Sequence, residues 1–164
     1  MSSAHVEKDS GWCQPPGSAD TALESFILMM AFLGRPADAA QLRHSLGKGS
    51  IFLELEDLLV LAKRLDIRAK RLRISDSKLD GLPLPAIAKL LDGSFLLLLQ
   101  ISEMDALVFR PADGRPTKVS RSAFIEQFSG EMLLMTTREK VAGMARTFDV
   151  SWFIPALVKY RRLL

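Results

Sequence analysis

Apolar positions along the chain fall into two textures. Between Thr21 and Leu65 they recur at helical spacing, and from Ile67 onward they come in short runs cut by turn residues. Thr21-Ala22-Leu23-Glu24 matches a capping box and predicts a helix that ends at Gly34, before Arg35-Pro36. Its body, Phe26–Leu33, is apolar on every side, the mark of a helix wrapped by other elements. Ala37–Leu46 predicts a second, short helix, with Gly47 as its C-terminal cap. Leu53–Leu65 predicts a third, carrying Leu55, Leu58, Leu59, Ala62 and Leu65 at helical spacing.

Ile67–Ile74, Leu84–Leu91, Phe95–Ile101 and Ala106–Arg110 read as strands. The pairs Asp80-Gly81, Asp92-Gly93 and Asp113-Gly114 between them favour tight turns joining antiparallel neighbours. Ser120–Phe128 predicts a turn or two of helix, capped by Ser120 or Ser122 and closed by Gly130. Met132–Thr136 is the last strand. Helices first and antiparallel strands after give an α+β domain over 20–138.

The flanks read differently. Residues 1–19, with Gly11, Pro15, Pro16 and Gly17 and no periodicity, suggest a flexible arm without a secretory signal. Residues 139–164 suggest a polar connector followed by an amphipathic segment. There Trp152, Phe153, Leu157 and Tyr160 stand beside Lys159, Arg161 and Arg162, a mixture suited to a membrane interface or to docking on the domain's own core. No apolar run approaches the roughly 20 residues that span a bilayer, so the chain by itself is expected to be soluble.

Composition narrows the chemistry. Of the 164 residues 48% are hydrophobic and 25% charged, enough for a buried core. A net charge of +3 is too small to make nucleic acid the expected partner. One cysteine excludes a disulfide framework, and two histidines leave little for metal binding; no metal site is expected. Thiol catalysis would need Cys13, in the arm, to meet His44 on a solvated helix face, with His5 the other imidazole. Ser25 and Ser94 lack both a base and a Gly-x-Ser-x-Gly elbow. Gly47-Lys48-Gly49-Ser50 lacks the spacing of a phosphate-binding loop and reads as a turn. Glu54, Glu56 and Asp57 complement the dipole at a helix start. The cluster Lys63, Arg64, Arg68, Lys70, Arg71 and Arg73 has no interleaved aromatics and reads as a solvated edge strand.

Several strings resemble the bacteriocin-processing, papain-like cysteine peptidase family, which forms the N-terminal domain of certain ABC exporters. Asp20–Met30 is similar to its opening helix, and Leu84–Lys89 with Asp92–Leu97 to its histidine-bearing hairpin. Ala106–Pro111 is similar to the next strand, and Ser122–Thr136 to the closing helix and strand. The resemblance implies a papain-like fold with helices packed on an antiparallel sheet. Carried over position by position, the nucleophilic cysteine falls on Thr21, the histidine on Ser94 and the orienting aspartate on Arg110. Gln14 lies one residue out of register with the oxyanion glutamine. All three triad positions are replaced, so the resemblance implies a degenerate domain and no catalysis.

Phe148–Leu157 resembles the segment that leads to the first membrane span in haemolysin-type type I secretion exporters. The resemblance then implies a domain on the cytoplasmic side of the bacterial inner membrane, docking an unfolded secreted protein such as a repeat toxin or adhesin. It implies further membrane and ATPase domains beyond Leu164, using ATP and magnesium, with a periplasmic adaptor and an outer-membrane channel as partners of the whole exporter. No cofactor is expected in this domain. Lys89 and Phe95, which flank the hairpin, are the expected docking contacts. Two other readings stay open: a leader-processing peptidase with an unconventional nucleophile, and a free-standing interaction module whose basic cluster around Arg71 binds an acidic partner.

Overall fold

The computed structural model of the chain describes residues 20–47 and 53–137. The arm, Cys13, His5, Gln14 and the segment from 138 onward lie outside the described residues, as does most of the Gly47–Ser50 turn. Three helices come first: α1 (Thr21–Phe32), α2 (Ala39–Leu46) and α3 (Leu55–Arg64). Six strands follow: β1 (Arg68–Arg73), β2 (Ala86–Leu90), β3 (Phe95–Ile101), β4 (Asp105–Arg110), β5 (Arg115–Ser120) and β6 (Phe128–Thr136), with α4 (Arg121–Gln127) between the last two. The expected α+β order holds.

The strands form one antiparallel sheet in the order β1-β6-β2-β3-β4-β5. The last strand inserts between β1 and β2, so the sheet closes only when the end of the domain arrives. Side chains alternate between two cores. Ile87, Phe95, Leu97, Leu99 and Leu133 face α1, α2 and α3. Ala86, Ala88, Leu90, Leu96, Leu98 and Met132 face α4 and the short 3-10 turn Asp76–Lys78. A strand buried on both faces needs an unbroken apolar run, and Phe95–Leu99 is one. Helix α1 lies across β2 and β3 with Phe26 fully buried, as its all-round apolarity predicts, and α3 packs against β1 and β6.

Three local expectations are corrected. Asp20, not Thr21, caps α1: its carboxylate accepts from the Leu23 N–H at 3.2 Å, and Thr21 is the first helical residue. Asp80-Gly81 follows the 3-10 turn and joins no hairpin, whereas Asp92-Gly93 and Asp113-Gly114 do. Strand β5 is an edge strand of polar residues with Pro116 inside it, which hid it from a search for apolar alternation. The basic segment forms the opposite edge, β1, as expected. No helix among the described residues is long and apolar enough to cross a membrane.

Candidate functional site

The start of α1 meets the β2–β3 hairpin. The Thr21 Oγ1 accepts a hydrogen bond from the Phe95 N–H at 3.0 Å, across 74 residues of sequence. The hairpin is itself tightly tied. The Asp92 Oδ1 accepts from both the Ser94 N–H, at 2.8 Å, and the Ser94 hydroxyl, at 2.6 Å, closing an Asx turn. Gly93 supplies the positive φ of +84° that this turn requires. The Leu90 N–H donates to the Ser94 carbonyl, and the Leu91 N–H to the Gln127 carbonyl, each at 2.8 Å.

Arg110, at the end of β4, donates from Nη2 to the Gln127 side-chain oxygen at 3.1 Å. Partial burial pulls its guanidinium below the ordinary arginine pKa, against the carboxylates of Asp113 and Asp92. The structure thus ties Thr21 to the hairpin that carries Ser94, and Asp92, which accepts from Ser94, also acts electrostatically on Arg110 at the end of β4. None of Thr21, Ser94 and Arg110 is a thiol, an imidazole or a carboxylate. His44, the sole histidine among the described residues, is exposed on α2. Ser25, the other hydroxyl considered, is fully buried on α1. A hydroxyl attacks a carbonyl only when a neighbouring base takes its proton. No described group in hydrogen-bond contact with Thr21 serves: its partner is a backbone N–H, itself a donor.

The cap residue is better connected than its neighbour. Asp20 is buried, also accepts from the Leu53 N–H at 3.4 Å, and lies 3.6 Å from Arg43, joining the starts of α1 and α3 to α2. Burial, with Asp20 nearby, raises the pKa of Glu24 one turn on, and Arg43 opposes the shift.

Lys89 and Phe95 stand together but differ in what they offer. The Lys89 ammonium sits 2.5 Å from Glu54 Oε2 and 5.8 Å above the Phe95 ring. The ring itself is 3% exposed and belongs to the helix-side core. Phe95 is therefore corrected from a docking side chain to a core residue whose N–H is bonded to Thr21. The apolar side chain exposed here is Leu91, at 70%, which no sequence pattern singled out because it closes an otherwise buried run. Beside it lies an open depression of about 910 Å³ lined by Arg73, Lys78, Lys89, Leu91, Gly130 and Glu131, among others. Among the described residues no group of three or more histidine, cysteine or acidic side chains could hold a metal ion.

Comparison with known proteins agrees with this fold. The model of the Peptidase C39 family matches residues 14–140. The alpha-hemolysin translocation ATP-binding protein HlyB of Escherichia coli O157:H7 is 31% identical over 149 residues, 90% of this chain and 21% of that protein. The toxin RTX-III translocation ATP-binding protein of Actinobacillus pleuropneumoniae is 30% identical over 146 residues, 88% of this chain and 20% of that protein. The chain thus spans about a fifth of the length of the curated relatives it matches. Among solved structures, the N-terminal peptidase C39-like domain of the toxin secretion ATP-binding protein from Vibrio parahaemolyticus superposes with a TM-score of 0.67 at 26% identity, covering 74% of this chain and all of that one. A double glycine motif protease from an AMS/PCAT transporter, solved with its leader peptide, shares the fold with a TM-score of 0.66 at 20% identity, covering 76% of this chain and 89% of that one.

Proposed function

The chain belongs to the Peptidase C39 family, and from that premise we propose that it is a docking domain that holds an unfolded secreted protein without cutting it. On this reading it works within a haemolysin-type type I secretion exporter, on the cytoplasmic side of the bacterial inner membrane. The exporter's remaining domains supply the ATP and magnesium chemistry, and its periplasmic adaptor and outer-membrane channel complete the route.

The observation that supports the non-catalytic half is the bond from the Phe95 N–H to Thr21 Oγ1. The side chain that the resemblance puts at the nucleophile position serves as a structural link between helix and hairpin, and the Ser94 hydroxyl donates a hydrogen bond to Asp92 Oδ1. The docking half draws on the depression beside Lys89 and Leu91, which is open enough for an extended chain and offers both charge and exposed apolar surface. Affinity is modest, because an unfolded partner loses chain entropy on ordering.

The test is incubation of the chain with a double-glycine leader peptide, followed by mass spectrometry. The peptide stays intact. Cleavage at the double glycine would restore the peptidase reading.

A further inference from the structure

Strand β1 is one edge of the sheet among the described residues, and the ladder to β6 fixes which of its backbone groups face outward. The Ile74 N–H donates to the Gly130 carbonyl at 2.8 Å, and Arg73 stands opposite Glu131. Hydrogen-bonded pairs alternate along an antiparallel ladder, so Arg68, Lys70 and Leu72 spend their backbone groups on β6. The N–H and C=O of Ala69, Arg71 and Arg73 therefore point away from the sheet, and no other strand pairs with β1 among the described residues.

The side chains add a charge pattern. Arg71 lies on the helix side, reaching Glu56 and Glu131. Arg68 and Lys70 lie on the other side, exposed and without an ion pair among the described residues, above a small recess of about 210 Å³ that includes Pro83 and Leu134. Lys63 and Arg64, at the end of α3, extend the positive field. A strand added to this edge would bond Ala69, Arg71 and Arg73, leaving its residues opposite Arg68 and Lys70 in the closer, non-hydrogen-bonded pairs. Those are the positions where cross-strand charges act most strongly.

We propose that the β1 edge captures an extended acidic segment by strand addition, with carboxylates two residues apart opposite Arg68 and Lys70. The inference rests on the docking reading above and names the chemistry of what is docked. An anionic lipid surface would meet the same cations but has no strand to offer the outward backbone groups. Each opposite-charge pair strengthens binding roughly 1.5- to 5-fold.

The test is amide hydrogen exchange and NMR titration of the whole chain with a short peptide alternating threonine and glutamate. The Ala69, Arg71 and Arg73 amides exchange fast in the free chain and become protected on binding. A threonine–lysine peptide has no effect, and the doubly reversed variant Arg68→Glu with Lys70→Glu binds the acidic peptide at least about fivefold more weakly. Ala69→Pro removes one outward donor without touching the ladder to β6 and weakens binding as well. Protection of these amides in the free chain would overturn the proposal, since its own chain would then cover the edge. Binding without protection would reduce it to surface charge, and protection by anionic vesicles but not by the peptide would make it a lipid site. A permanently unfolded, reduced and carboxymethylated polypeptide separates the two claims. Shifts at Lys89 and Leu91 alone would sink the edge and spare the docking reading, and shifts at neither place would sink both.

Discussion

Replacing Thr21 by valine removes one oxygen and keeps the shape of the side chain. The Phe95 N–H now donates to that oxygen at 3.0 Å in a partly buried bond, and Phe95 itself is 3% exposed, so the orphaned donor is poorly placed to find water. Leaving a buried donor unsatisfied costs about 1–3 kcal/mol. The added methyl recovers under ~1 kcal/mol of apolar burial, and the net loss is about 1–2 kcal/mol. For a chain of this size that lowers the melting temperature by roughly 3–7 °C, and with an m-value of about 2 kcal/mol/M it moves the urea midpoint by roughly 0.5–1 M. Thr21→Ser keeps the acceptor and loses only a methyl, so it falls less than the valine variant. Equilibrium urea unfolding of the three proteins decides the matter, with exchange of the Phe95 amide as the local probe. If Thr21→Val is as stable as the parent, or the Phe95 amide stays protected in it, Thr21 is not the structural link described here.

Thr21→Cys places a thiol where the resemblance puts the family's nucleophile but leaves Ser94 and Arg110 in place, so on the docking reading it gains no thiol-dependent cleavage of a double-glycine leader; inhibitor-sensitive product by mass spectrometry would contradict this. Glu24 binds its proton more tightly folded than unfolded, so its contribution to stability declines as pH rises from the ordinary glutamate value through its raised folded pKa. The stability of Glu24→Gln relative to the parent therefore grows between pH 4.5 and 7 in urea melts, and a constant difference would refute the assignment. Removing residues 139–164 leaves a single cooperative melt, because among the described residues the six-stranded sheet ends at Thr136; loss of cooperativity would make that segment part of the core. In the full chain the same segment accounts for binding to anionic vesicles, measured by co-sedimentation with and without it.

What could be read from the residues, and what could not, follows the range of the interactions. Strand β3 lies at Phe95–Ile101 as expected, because an unbroken apolar run between turn residues leaves few alternatives. The same run implied that Phe95 is core, which a docking role for its ring overlooked. Asp20 and Thr21 are both good capping residues one position apart, and local pattern cannot rank them. The choice is made by Leu53 and Arg43, which approach Asp20 from α3's lead-in and from α2. The pairing of Lys89 with Glu54 and of Arg110 with Gln127 is likewise long-range. Strand β5 escaped because an exposed edge strand needs no apolar face of its own.

The central claim is that the chain holds an unfolded partner and leaves it whole. NMR titration of the full chain with the unfolded, carboxymethylated polypeptide, and with the same polypeptide in its folded, unmodified form, tests it most directly. The account predicts shifts at Lys89, Leu91 and Gly130 with the unfolded form, none with the folded form, and a polypeptide of unchanged mass afterwards. Equal shifts with both forms, or fragments in place of the intact polypeptide, would contradict it.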